Sequence, residues 1–196
     1  MDGYLLGLVQ GLAVATAYFM ISRLFHMQTG AIWHLAGIYG ESNTREILKG
    51  ARRREDIFDW IDNVEVAGGD VDHIVVAPSG VFALDSKWHL RSTDDATLSR
   101  DTERAVAAAR RARLILRSEG IAADVKPVVV VWGNTSSTAI EAGIDREVII
   151  LQGRDLKSWL SEPEQYLSRD EGDEILNRLK SFKARVDPSR VQGSHR

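Results

Sequence analysis

The sequence predicts an α/β domain, a sheet flanked by helices, preceded by one N-terminal transmembrane helix. Three observations lead there. No charged residue occurs from Gly3 to Ser22, and about twenty such residues span a bilayer core as a helix. Two apolar runs, 71–77 and 81–84, flank Pro78-Ser79-Gly80, which is turn chemistry between paired strands. An alanine-rich helical pattern over 98–118 leads into a nearly continuous apolar run from Val125 to Trp132, as in a central strand covered on both faces.

In chain order, residues 1–25 form the membrane anchor. The chain starts Met1-Asp2 rather than with the basic stretch of a secretory signal. Its first positive charge, Arg23, follows the apolar run. The positive-inside preference then sets the N-terminus outside and the folded domain in the cytoplasm, giving a single-pass cell-membrane protein whose partner is the lipid bilayer. Residues 26–36 are a juxtamembrane connector into a helix that stops near Lys49–Gly50. Arg52-Arg53-Arg54 could attract phosphate, but Glu55-Asp56 follow directly and dilute them. Residues 57–67 read as the first strand, and Gly68-Gly69 turns the chain into the hairpin.

A polar stretch, Ser92 to Thr97, caps the helix over 98–118, and Gly120 ends it. After the Val125–Trp132 strand comes the loop Gly133-Asn134-Thr135-Ser136-Ser137, which lacks the lysine and glycine spacing of a phosphate loop. Val148 to Leu151 is the last strand, and a helix begins at Arg154, so the domain closes near residue 160. Residues 161–186 are a helical extension, amphipathic over 171–184. From Asp187 onward proline, serine, glycine and charge dominate, the composition of a disordered tail over 187–196.

The net charge of −3 excludes a generally basic coat, so attraction to nucleic acid must come from local patches. The chain has no cysteine, which excludes disulfides and thiolate zinc sites. Its five histidines show no paired ligand spacing. The best basic surface is the 98–118 helix, where Arg100, Arg104, Arg110, Arg111, Arg113 and Arg117 outnumber Asp101 and Glu103. Arginine favours planar contact with phosphate, and Arg104 and Arg111 are the candidate nucleic-acid contacts.

The chemistry concentrates in the hairpin. With the turn centred on Pro78-Ser79, Asp72 lies opposite Asp85, and opposed positions have Cβ atoms about 4.5–5.5 Å apart. Two carboxylates at that distance repel unless a proton or cation lies between them. Strand alternation puts Lys87 on the face of Asp85 and Ser86 on the other; His73 points away from Asp72. Acid oxygens select hard cations such as Mg²⁺ or Mn²⁺. Glu41 joins these candidates because Gly37, Gly40, Glu41, Thr44, Ile47, Leu48 and Ala51 share one helical stripe, an expensive place for a lone carboxylate.

Gly40-Glu41, Gly69-Asp70-Val71-Asp72-His73, Pro78-Ser79-Gly80-Val81-Phe82 and above all Asp85-Ser86-Lys87-Trp88 resemble the nuclease-related domain family (NERD), a branch of the PD-(D/E)xK superfamily. The resemblance covers about residues 37–160. It implies a restriction-endonuclease-like mixed sheet. It also implies that Asp72 and Asp85 are the metal-binding acids, Lys87 the motif lysine and Glu41 the acid of the leading helix. The expected function is a membrane-tethered nuclease that hydrolyses DNA or RNA phosphodiesters with Mg²⁺ (or Mn²⁺) held by Glu41, Asp72 and Asp85. Its alternative is a non-catalytic protein of the same fold that binds nucleic acid or recruits partners.

Overall fold

A computed structural model describes residues 2–66, 68–89, 95–133, 147–162 and 165–186. Its elements are helix α1 (Asp2–Arg53), strands β1 (Asp59–Val66), β2 (Gly69–Ala77) and β3 (Gly80–His89), helix α2 (Asp95–Ser118), and strands β4 (Val125–Gly133) and β5 (Ile149–Gln152). A 3-10 turn (Gly153–Asp155) and helices α3 (Leu156–Leu160) and α4 (Arg169–Val186) follow. The chain divides into two compact units, Met1–Ile38 and Tyr39–Arg196.

The first unit is helical through its described residues. Among the described residues, no helix is long and apolar enough to cross a membrane, so the bilayer-spanning helix expected over residues 1–25 is not supported. The expected connector over 26–36 is itself helical.

The second unit holds the sheet, with strand order β1-β2-β3-β4-β5. β1, β2 and β3 are antiparallel neighbours, while β3–β4 and β4–β5 pair in parallel. The sheet is therefore mixed. The change of direction follows from the connections: Pro78-Ser79 is short enough only for a hairpin, whereas α2 provides the long crossover that a parallel neighbour needs. Ala77 pairs with Gly80 and His73 with Leu84, so the turn is centred on Pro78-Ser79 as expected.

Alternation along the strands builds two apolar layers. On one face Ile74, Val76, Val81 and Ala83 pack with α2 and α4 through Ala108, Ala109, Ala112, Leu116, Ile175 and Leu179. Alanines let α2 lie close to the sheet. On the other face Val75, Phe82, Leu84, Val128 and Val130 pack with Leu48 and Ala51 of α1 and with α3. Helix α4 begins two residues earlier than its apolar pattern announces, because Ser168 and Glu171 form a reciprocal cap: Ser168 N donates to Glu171 Oε2 (2.8 Å), and Glu171 N to Ser168 Oγ (3.3 Å). The 187–196 tail, the 92–94 stretch and most of the loop after Gly133 lie outside the described residues.

Candidate active site

The hairpin register extends from His73–Leu84 to place Asp72 beside Asp85. Both carboxylates stand on the α2 face, with Ile74 and Ala83 as their buried neighbours on the same two strands. Asp72 Oδ2 accepts a hydrogen bond from the Ser86 backbone N at 3.3 Å. On its other side Asp72 meets β1 where the pairing breaks. Asn63 adopts φ 48 and drops out of a ladder that is regular at Asp62–His73 and Val64–Val71. Asn tolerates this left-handed conformation better than most residues.

Burial pushes the Asp72 carboxyl up to about 7, helped by the charge and hydrogen bond of Asp85 and opposed by Lys87 and the Ser86 N–H. Asp85 is 8 % exposed. Its Oδ1 accepts from Lys87 Nζ at 2.6 Å, while its Oδ2 is buried and reached by no N–H or hydroxyl donor, which leaves the Asp72 carboxyl as its neighbour. Burial disfavours the charged Lys87 ammonium, but the Asp85 charge and hydrogen bond outweigh it, with Asp72 and Asp101 adding to the pull, and the lysine is held above its ordinary range. The sheet thus brings Asp72, Asp85 and Lys87 into one contiguous group whose carboxylate charge is only partly balanced.

Glu41 is not joined to them. Gly40, Thr44, Leu48 and Ala51 form the buried stripe of α1, and that stripe covers the other sheet face. Thr44 Oγ1 lies 2.8 Å from Ser86 Oγ and accepts from Trp132 Nε1 at 3.0 Å. A Cβ on Gly40 would lie 3.6 Å from the Trp132 ring and 3.8 Å from Trp88 Cβ, ordinary contact distances that place this turn of α1 against β3 and β4. Glu41, one residue on, is half-buried at the margin. Among the described residues, no group of three or more histidines, aspartates or glutamates is placed to hold a metal ion.

The two arginine candidates also part company. Arg104 is exposed on α2. The Arg111 guanidinium instead donates to the carbonyls of Gly68 and Asp70 and closes the β1–β2 turn, which explains why it does not project freely toward solvent. Of the arginines at the end of α1 and just beyond it, Arg52 pairs with Asp59 (3.3 Å) and Arg54 with Asp56 (2.8 Å).

Residues 36–132 match the nuclease-related domain family. The chain carries a nuclease-related domain. The match runs from the end of α1 through β4 and contains every residue of the carboxylate group. No curated protein matches the chain.

Within the nuclease-related domain, sequence reasoning missed two residues. Asp101, 5 % exposed, lies in the buried stripe of α2 between Leu98 and Ala105. Its Oδ2 is 3.0 Å from Nε2 of His89, which follows Asp85 and Lys87 on the same side of β3. The signal that could have found Asp101 is the one that singled out Glu41, a carboxylate on the apolar stripe of a helix. A second, half-buried acid centre lies across the sheet: Asp62 accepts from Arg45 Nε (2.9 Å) and Trp60 Nε1 (2.9 Å) and lies 2.6 Å from His73 Nδ1.

Proposed function

We propose that the nuclease-related domain of this chain is a metal-dependent nuclease that hydrolyses nucleic-acid phosphodiester bonds. One observation carries the reading: a buried Asp85 oxygen that no N–H or hydroxyl satisfies, beside a second carboxyl that holds its proton to about pH 7. That is an oxygen-donor pair with a single ammonium for its two carboxyls. A divalent ion fits it, because Mg²⁺ binds through one or two carboxylates and completes its shell with waters and phosphate oxygens; Mn²⁺ shares the preference. Asp72 and Asp85 would hold the ion, and Glu41 is left out of the pair. When bound, the ion supplies Lewis-acid polarisation of the phosphoryl oxygen and an acidified water.

The protein groups do the rest. Asp85 fixes the Lys87 ammonium through a 2.6 Å bond, placing a positive charge where negative charge builds on the phosphate. Asp72 is oriented by the Ser86 N–H. The apolar layer of Ile74, Val76 and Ala83 beneath the group is fully buried, which keeps water from screening it. Arg104, exposed on α2, adds sequence-independent attraction for the sugar–phosphate chain.

The test uses the full chain with end-labelled DNA and RNA, with and without Mg²⁺. Cleavage should require the ion, and Asp85→Ala and Lys87→Ala should each lower it by about 10²–10³-fold. Folded variants that cleave as fast as the parent would refute the assignment.

The reading extends to the first unit. Val9, Leu12, Val14, Tyr18, Phe19, Met20 and Ile21 are all more than 60 % exposed. Large apolar side chains exposed in such number mark a surface that meets an apolar partner. We propose that it attaches the domain to the cell membrane with the nuclease-related domain on the cytoplasmic side. Deleting residues 2–22 should release the protein from sedimented membranes, and a full-length protein found wholly in the supernatant would end this part of the proposal.

A further inference from the structure

Residues 85, 87 and 89 of β3 share one side of the strand, so His89 follows Lys87 by about 6.6–6.8 Å along the α2 face. Its side chain is 14 % exposed and that of its partner Asp101 is 7 % exposed. Asp101 comes from a different element, α2, and its charge also reaches Lys87. The backbone around His89 is fixed as well. Gly133 pairs with it across β3–β4, takes φ +91, and a Cβ there would collide with the His89 carbonyl oxygen. The imidazole is thus held from its backbone and from Nε2.

The hydrogen bond also sets the polarity of the ring. A neutral imidazole donates from one nitrogen and accepts at the other. A carboxylate only accepts, so Nε2 carries the proton given to Asp101, and Nδ1 is the acceptor. Phosphate oxygens are acceptors too and gain nothing from Nδ1. On a strand whose phosphate lies at Asp72, Asp85 and Lys87, the donor on the sugar–phosphate chain itself is the ribose 2′-hydroxyl, which an internal deoxyribose lacks.

We infer that His89, positioned by Asp101, binds the 2′-hydroxyl of a nucleotide beside the scissile phosphate and so directs the domain toward RNA. The inference rests on the nuclease reading and names its substrate class. His89 is the contacting residue; Asp101 acts through it. An amide at position 101 can donate to Nε2, which moves the ring proton to Nδ1 and turns the acceptor into a donor.

The experiment measures anisotropy of the full chain with labelled single-stranded RNA and DNA of one sequence, in EDTA to prevent cleavage, and with DNA carrying one ribose at successive positions. The parent protein should prefer RNA by about fivefold to tenfold, the size of one hydrogen bond. One ribose position should restore most of that preference. His89→Phe and Asp101→Asn should bring the RNA-to-DNA ratio near one, while His89→Gln, which keeps an acceptor, should retain part of it. Circular dichroism establishes which variants fold, and the glutamine and asparagine variants suffice if phenylalanine does not. Equal binding of RNA and DNA by the parent, or a preference that survives in Asp101→Asn and His89→Phe, overturns the role of His89 and leaves the nuclease reading standing. Failure to bind either polymer, together with no cleavage, removes both.

Discussion

Two acid centres lie on opposite faces of the same sheet, and they differ in how their oxygens are satisfied. Asp62 is surrounded by donors: Arg45, Trp60 and His73 all bond its carboxylate. Burial pushes its carboxyl up, but the His73 and Arg45 contacts outweigh that, and it sits below the ordinary aspartate range. Asp72 and Asp85 have one backbone N–H and one ammonium between them. There the burial penalty wins, and the Asp72 carboxyl rises to about 7. The Asp62 carboxylate is fully partnered without a ligand and ties α1, β1 and β2 together, although Nε2 on the far side of its His73 partner is buried without one. The second centre has one ammonium for two carboxyls, and a further positive charge would let both ionise. Sequence alone places an aspartate on a strand in both cases; the count of donors around each carboxylate is what sets the two centres apart.

The sharpest way to break this contrast is to remove each acid and read stability and cleavage separately. Asp62→Ala leaves the Trp60 N–H and the fully buried His73 imidazole without an acceptor. Unsatisfied buried donors of this kind cost about 2–4 kcal/mol together, and the melting temperature should fall by about 5–10 °C. Cleavage per folded molecule should change little. Asp85→Asn should do the reverse: stability within about 1 kcal/mol of the parent, since lost repulsion with Asp72 offsets the lost Lys87 pair, and cleavage abolished. Thermal melts and initial rates on the same preparations decide it. A large loss of stability in Asp85→Asn, with Asp62→Ala melting like the parent, would reverse the assignment of the two centres.

Much of this site is legible in the residues because a hairpin with a two-residue turn has a rigid register. Pro78-Ser79 fixes Asp72 against Asp85, and strand alternation then fixes Lys87 and Ser86. The Ala-rich helix and the Val125–Trp132 strand are legible for the same reason: each has a period set by local geometry. The features that escape are set by tertiary partners. Arg111 looks like a phosphate contact on a helical wheel, yet the carbonyls it bonds belong to the β1–β2 turn, 41 and 43 residues away. Glu41 shares a stripe with Gly40 and Thr44, but nothing local says which sheet face that stripe covers. Asp101 meets a partner 12 residues upstream on another element. The early start of α4 was readable, since Ser168-Arg169-Asp170-Glu171 is a capping box, and the apolar pattern alone hid it.

The smaller test concerns pH and sharpens the contrast from the other side. The Asp72 carboxyl has an ordinary value of 3.8 and a folded value of about 7. Below the lower value both folded and unfolded chains hold the proton, and Asp72 contributes no penalty. Between the two values the folded chain keeps a proton that the unfolded chain has lost, so stability falls as pH rises. Above about 7 the penalty is complete, on the order of 2–4 kcal/mol. A melting temperature that declines from pH 5 to pH 8 in the absence of divalent ions is therefore expected. Asp72→Asn should flatten this decline and melt higher than the parent at pH 8. Mg²⁺ at ten times its dissociation constant should return about 1.4 kcal/mol to the parent at pH 8 and much less to Asp72→Asn, because the cation takes the place of the shared proton. Asp62, with its acceptors filled and its carboxyl held low, should give no such decline over this range. A parent protein whose melting temperature is flat from pH 5 to 8, and indifferent to Mg²⁺, would mean that the Asp72–Asp85 pair is as fully compensated as Asp62 and has no need of a cation.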